Sequence, residues 1–179
     1  MGRNDGSTIS NCYSTGSVSG VNQIGGLVGY NAYHGNISNC YSTCSVSGAI
    51  RVGGLVGDTY YDTISNCYST GSVSGYNQIG GFVGYNSNGT ISNCFWNTTT
   101  SGQSSSPAGE GKNTDEMQTQ ATFTDYDFTV SPVWGIKSDV NNGYPQLKSV
   151  TEISIMSICI GYSYLFCIHR FQGFKIITD

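Results

Sequence analysis

Ile64 to Asn86 reads ISNCYSTGSVSGYNQIGGFVGYN, and the chain repeats that string upstream. Ile9 to Asn31 is ISNCYSTGSVSGVNQIGGLVGYN, and Ile37 to Leu55 is ISNCYSTCSVSGAIRVGGL. A fourth copy opens at Ile91 as ISNCFWN and then departs. The ISNC tetrad begins at 9, 37, 64 and 91, so the periods are 28, 27 and 27 residues. Self-similarity at a period of ~20–50 residues marks a solenoid or a propeller, and a propeller blade needs ~40 residues or more. The period therefore selects a solenoid.

Each repeat offers three strand candidates: ISNCYS, a stretch around GSVSG, and IGGLVGY or IGGFVGY. Gly, Asn and Ser clusters separate them, as turns require. None has the 3.6-residue apolar period of a helix. The reading is all-β: a short parallel β-helix of about 3.5 coils over residues 9–97, its strands stacked in register. Residues 1–97 form the solenoid, 98–149 a mixed C-terminal cap with one short helix, and 150–179 an apolar tail.

Internal comparison gives the lumen. Ile9, Ile37, Ile64 and Ile91 share one position; Val18, Val46 and Val73 another; Val28, Val56 and Val83 a third. Ile24, Val52 and Ile79 match, as do Leu27, Leu55 and Phe82. These columns are the predicted interior, where apolar burial supplies most of the stability. Tyr30 becomes Asp58 in the second coil, so that position is expected to face solvent. The paired glycines at 25–26, 53–54 and 80–81 mark a corner where backbone approaches closely or φ is positive.

Charge and cysteine content exclude several functions. Charged residues are 10% of the chain, against ~25% in ordinary soluble domains. The first hundred residues carry only Arg3, Asp5, Arg51, Asp58 and Asp62. With a net charge of −4 and no basic patch, nucleic acid is not an expected partner. Cys12, Cys40, Cys67 and Cys94 share one repeat position. Four thiols in a line do not surround an ion tetrahedrally, so no metal is expected. No cofactor motif occurs: the paired glycines precede no helix pattern that could cradle phosphate.

One row suits ligand contact. Tyr13, Tyr41, Tyr68 and Phe95 align and could stack sugars from outside the sheet; packing against other parts of the chain is the competing reading. Thr15, Thr43 and Thr70 form a second row of the kind that an ice- or surface-binding solenoid would use, although a short Thr row also follows from strand propensity. A carbohydrate-processing β-helix would need acidic or basic groups on one face, and the repeats carry too few. Asp125 and Asp127 are an acidic pair in the cap, where a solvated face is the simpler reading. No catalytic residue is expected.

The pattern (I/V)GG(L/F)VG-x-N followed by ISNCYSTGSVSG resembles the GLUG-motif family over about residues 9–97. Such repeats occur in bacterial and archaeal surface proteins, including adhesins and IgA-protease-type surface peptidases, beside other domains. The resemblance implies a non-enzymatic, extracellular or cell-surface module of a larger chain, a spacer or an adhesin. It implies a surface glycan or host protein as partner and brings no catalytic residues. The HExxH zinc motif of the peptidases is absent; the histidines are His34 and His169.

After the repeats the composition changes, and all three prolines appear: Pro107, Pro132 and Pro145. Thr114 is expected to cap the helix DEMQTQATF, with Asp115 and Glu116 in its first turn. Phe123, Phe128, Trp134, Tyr144 and Leu147 are expected to cover the open end of the solenoid. Ile153 to Ile168 is apolar and uncharged for 16 residues, just short of the ~17 at the lower limit for a spanning helix. A membrane anchor, a buried strand pair and a non-native tail all stay open for it. The N-terminal residues lack a signal peptide's apolar core and resemble the turn of a preceding repeat, as expected of a piece of a longer protein.

Overall fold

The computed structural model describes residues 2–129 and 133–148, so the expectations for 150–179, the anchor included, lie outside the described residues. The repeats wind into a parallel β-solenoid whose coils each supply one strand to five stacked sheets. Sheet A holds Arg3–Asp5, Val28–Ala32, Val56–Tyr60 and Val83–Ser87. Sheet B holds Thr8–Ser10, Asn36–Ser38, Thr63–Ser65 and Thr90–Ser92. Sheet C holds Tyr13–Ser14, Tyr41–Ser42, Tyr68–Ser69 and Phe95–Asn97, extended by Glu110–Lys112 from beyond the repeats. Sheet D holds Ser17–Ser19, Ser45–Ser47 and Val73–Ser74. Sheet E holds Asn22–Gly25, Ile50–Gly53 and Asn77–Gly80. The ISNC segments pair in register: Ile9 with Ile37, Ile37 with Ile64, Ile64 with Ile91.

Each coil thus has five short strands where three were expected. ISNCYS breaks between sheets B and C because its asparagine turns left-handed: Asn11, Asn39, Asn66 and Asn93 have φ of 53°, 51°, 51° and 49°. Asparagine tolerates that region through its short polar side chain. IGGLVGY breaks at the glycine pair, for a different reason. A Cβ on Gly53 would lie 2.0 Å from the Val56 carbonyl oxygen and 2.6 Å from the Gly84 amide nitrogen. Close backbone approach within the coil and to the next coil excludes any side chain there.

The predicted columns line the interior, and they form two clusters. One joins the Ile, Leu/Phe and Val28 columns to Cys12, Cys40, Cys67 and Cys94. The other joins Val46, Val52, Val73 and Cys44, with Val18, Ile24 and Ile79 against them. Cys44, which replaces glycine, is fully buried here and fills space. Ser14, Ser42 and Ser69 point inward between the clusters and are buried. Ser42 and Ser69 meet the second glycine of a pair: a Cβ on Gly26 would sit 2.1 Å from Ser42 Oγ, and Ser69 Oγ donates to the Gly81 carbonyl at 2.7 Å.

In the last coil Trp96 stands in register with Ser69, and its ring closes the lumen against Gly81. Residues 98–112 then seal that end. The Ser106 hydroxyl lies 3.2 and 3.1 Å from the Phe82 and Val83 amide nitrogens and accepts from them, and Gln103 Nε2 donates to Val73 O at 2.7 Å. Two one-turn helices follow the repeats. In α1, Thr98–Ser101, Asn97 is the cap. In α2, Thr114–Met117, the cap is Asn113, one residue before the expected Thr114. Asn113 and Glu116 form a reciprocal capping box, 2.9 and 2.8 Å, which Thr114 could not make with the same glutamate. A single 3-10 turn at Gln120–Thr122 completes what was expected as a longer helix. Among the described residues no helix is long and apolar enough to cross a membrane.

Candidate functional site

The aromatic row forms as a ladder on the outer face of sheet C. Tyr13 stacks on Tyr41 with centroids 5.0 Å apart and planes 6° apart, and Tyr41 on Tyr68 at 5.0 Å and 2°. The row is covered, however. Trp134 lies tilted on Tyr41 and Tyr68, and Phe123 packs on Tyr68 and edge-on to Phe95. Met117, Tyr126 and Tyr144 complete the cluster, leaving Tyr41, Tyr68 and Phe95 at 5%, 0% and 7% exposure. The Tyr68 hydroxyl donates to the Pro145 carbonyl and accepts from Asn141 Nδ2 at 2.8 Å. Burial pushes the Tyr41 and Tyr68 hydroxyls up, away from ionisation.

Tyr13, Tyr41, Tyr68 and Phe95 are therefore a second core, and a sugar cannot reach the last three. The cap residues expected to close the solenoid's end lie along its flank instead. Trp96 and residues 98–112 already close that end, and the ladder offers the cap's aromatic rings apolar surface to bury. The Thr row is no flat free face either: Thr70 is 8% exposed and its carbonyl accepts from Thr100 Oγ1 at 2.5 Å.

The aligned cysteines point into the lumen. Each thiol donates to the carbonyl two residues back, at 3.0–3.1 Å, and all five described cysteines are free thiols. Burial pushes the Cys67 thiol well above its ordinary value, and the Cys40 and Cys94 thiols beside it add to the shift. Among the described residues no three His, Cys, Asp or Glu side chains are grouped to hold a metal ion. Of the acidic pair in the cap, Asp127 is occupied locally. Its Oδ1 accepts from the Thr129 amide and hydroxyl at 3.0 and 2.7 Å, which lowers its pKa.

The second coil carries the repeats' buried charges. Asp58 stands in sheet A in register with Tyr30 and Tyr85, yet it is 2% exposed rather than solvated. Arg51, which replaces Gln23 and Gln78 of the sister coils, folds over it. Arg51 Nη1 pairs with Asp58 Oδ2, Gln23 Nε2 donates to the same oxygen at 2.8 Å, and Arg51 Nε reaches Gln78 Oε1 at 3.2 Å. The guanidinium also lies 4.8 Å from the Tyr85 ring centroid. Gln/Tyr has become Arg/Asp as a matched pair.

Asp62 makes a similar exchange at the corner between sheets A and B. In neighbouring coils an asparagine and a glycine build this corner: Asn86 with Gly89, 2.9 and 3.3 Å, and Asn31 with Gly35 at 3.4 Å. The second coil has Thr59 and Asp62. The Asp62 carboxylate, 3% exposed, accepts from Thr59 Oγ1 at 3.0 Å, the Tyr60 amide at 3.2 Å, and the Gly35 amide of the preceding coil at 3.0 Å. It replaces the missing amide side chain and ties two coils together. Burial raises its pKa, and these hydrogen bonds oppose the rise.

The same corner carries aromatic rings that do face solvent. Tyr33, Tyr60 and Tyr61 are 58%, 38% and 48% exposed. Tyr60 touches both others edge-on, 6.2 Å from Tyr33 and 4.6 Å from Tyr61. Arg3, paired with Asp5 at 2.7 Å, stands 5.9 Å from the Tyr33 ring. Tyr33 and Tyr61 share one repeat position with Gly6 and Asn88, and sequence reasoning passed over it because only the two middle coils place an aromatic residue there. The available signal was at that left-handed corner, where Gly6 and Asn88 are ordinary choices and the middle coils place Tyr33 and Tyr61.

The GLUG motif model matches residues 20–47, 48–74 and 75–95. That stretch consists of GLUG-motif repeats, and the resemblance of the repeated string holds. A crystal structure of a "putative immunoglobulin A1 protease from Bacteroides ovatus" shares the fold, with a TM-score of 0.59 at 22% identity. The superposition covers 79% of this chain and 57% of that one, so the chain spans little more than half of its structural relative. No curated protein matches the sequence.

Proposed function

We propose that this chain is a non-catalytic repeat module of a cell-surface or secreted protein, serving as a spacer and as an adhesin-type binding element. One observation carries the reading: the buried charged side chains of the repeats are consumed by the fold. Arg51 serves Asp58 and Asp62 serves three donors of its corner, while Arg3 and Asp5 pair with each other at the surface. General acid–base or nucleophilic chemistry needs titratable groups that converge on a substrate. The motif's occurrence in surface proteins and the structural relative's greater length accord with a module that works beside other domains. Binding through outward faces, weak per coil, would strengthen by repetition.

The test is incubation of the purified chain with polysaccharide and peptide libraries, reading both retention and product release. Retention without new reducing ends or new amino termini is the expected result. Turnover abolished by Asp125→Asn or Asp127→Asn would establish a carbohydrate- or peptide-processing enzyme and overturn the proposal.

A further inference from the structure

We infer that Tyr33, Tyr60 and Tyr61 form a carbohydrate subsite that stacks a pyranose ring of a polysaccharide, with Arg3, Asp5 and His34 at its edge to meet sugar hydroxyls. This deepens the binding role proposed above and rests on it. Three independent observations point to the site.

The first is backbone strain. The turn from sheet A to sheet B needs left-handed residues. Gly6 at φ 63° and Asn88 at φ 60° supply them in the outer coils, as the steric map prefers. The middle coils instead hold Tyr33 at 56°, His34 at 66° and Tyr61 at 54°. Gln23, Arg51 and Gln78 hold the same conformation inside sheet E, at 56°, 57° and 56°; this corner differs in placing aromatic rings there, where the outer coils use glycine or asparagine.

The second is exposure. Burial does not offset the strain, because the rings are 58%, 38% and 48% exposed. Their interplanar angles of 75° and 84° make a stepped surface of ring faces and edges. An aromatic face complements the apolar C–H face of a pyranose, and the phenol hydroxyl hydrogen-bonds at the rim.

The third is rigidity. The buried Asp62 carboxylate lies directly beneath, holding the Tyr60 amide and tying the loop that carries Tyr33 to the next coil through Gly35. The rings thus sit on a preorganised base, which limits the entropy lost on binding. The edge groups are mixed: Arg3 and Asp5 form an exposed pair at 2.7 Å, so donor and acceptor lie side by side with no net charge. That suits neutral hydroxyls better than a phosphate or an acidic peptide.

The experiment is affinity gel electrophoresis of the 179-residue chain in gels cast with xylan, mannan, laminarin or galactan, followed by titration with the polymer that retards it. Retardation by at least one polymer is expected. Tyr33→Gly/Tyr61→Asn, which restores the residue types of the outer coils, should weaken binding at least tenfold. Its melting midpoint should be unchanged or higher, and Tyr61→Phe should keep most of the affinity. No retardation by any of the four polymers overturns the subsite, as does equal retardation of the double variant. Release of reducing ends by the wild type would overturn the non-catalytic reading alone, because the double variant still decides where the polymer binds.

Discussion

Replacing Tyr68 by alanine tests whether the ladder is core or ligand platform. The ring is fully buried, parallel to Tyr41 at 5.0 Å, and contacts Phe123 and Trp134 from the cap. Truncating a buried aromatic to alanine costs about 3–5 kcal/mol. The parallel stack lies in the range where ring pairs add about 0.5–1.5 kcal/mol beyond area. The hydroxyl's bonds to Pro145 and Asn141 go as well, at about 1 kcal/mol net. The expected loss is about 4.5–7.5 kcal/mol, a large part of the ~5–15 kcal/mol available to a domain. Tyr68→Phe keeps the ring and should lose only about 1–2 kcal/mol, since Asn141 Nδ2 still donates to the Pro145 carbonyl at 2.8 Å. Urea unfolding followed by tryptophan emission is the assay, with Trp134 in the cap and Trp96 at the lumen's end as reporters. A Tyr68→Ala protein within about 1 kcal/mol of wild type, below the cost of any buried aromatic, would mean that the rings face water and the reasoning fails.

Val56→Asp should destabilise by about 3–5 kcal/mol, because an unpaired carboxylate would enter a fully buried column between Val28 and Val83; an unchanged thermal midpoint would place Val56 on the surface. Arg51→Gln and Asp58→Tyr should each destabilise alone, while the double variant, which copies the sister coils, recovers stability with a coupling of about 1 kcal/mol or more; strict additivity would show that the pair is incidental. Asp62 titrates with a pKa raised by burial in the folded state, so the folded protein holds this proton more tightly than the unfolded chain. Relative to Asp62→Asn, wild type should lose stability as pH rises from the ordinary carboxylate value through the raised one, and level off above it. A relative gain over that window, measured by urea midpoints across pH, would mean that the three hydrogen bonds outweigh burial.

The repeat period carried the architecture, because residues at one solenoid position share one environment. The Ile64 and Val56 columns were legible for that reason. Positions that break the repeat were not. Asp58 looked solvated because the register cannot show that Arg51, seven residues earlier, would fold over it. The five-strand coil was hidden in single residues, the left-handed Asn66 and the close-packed Gly53, whose effect depends on a neighbouring coil. The ladder illustrates the limit best. The sequence places Tyr41 above Tyr68 and cannot say whether water or Trp134, some sixty residues further on, lies against them. Docking of the cap is a non-local event with no period to announce it. The exposed corner of Tyr33 and Tyr61 was missed because comparison between coils rewards sameness, and here the departures from Gly6 and Asn88 were informative.

Which tyrosines face the outside can be read in one measurement: nitration of the native protein, mapped by mass spectrometry with and without the polysaccharide that retards it. Tyr33, Tyr61 and Tyr76, at 58%, 48% and 93% exposure, should react, and the buried Tyr41, Tyr68 and Tyr126 should not. Added polysaccharide should shield Tyr33 and Tyr61 and leave Tyr76 reactive. Early nitration of Tyr41 or Tyr68, or shielding that falls on Tyr76 while Tyr33 and Tyr61 still react, would contradict the assignment of the ladder to the core and of the corner to the ligand.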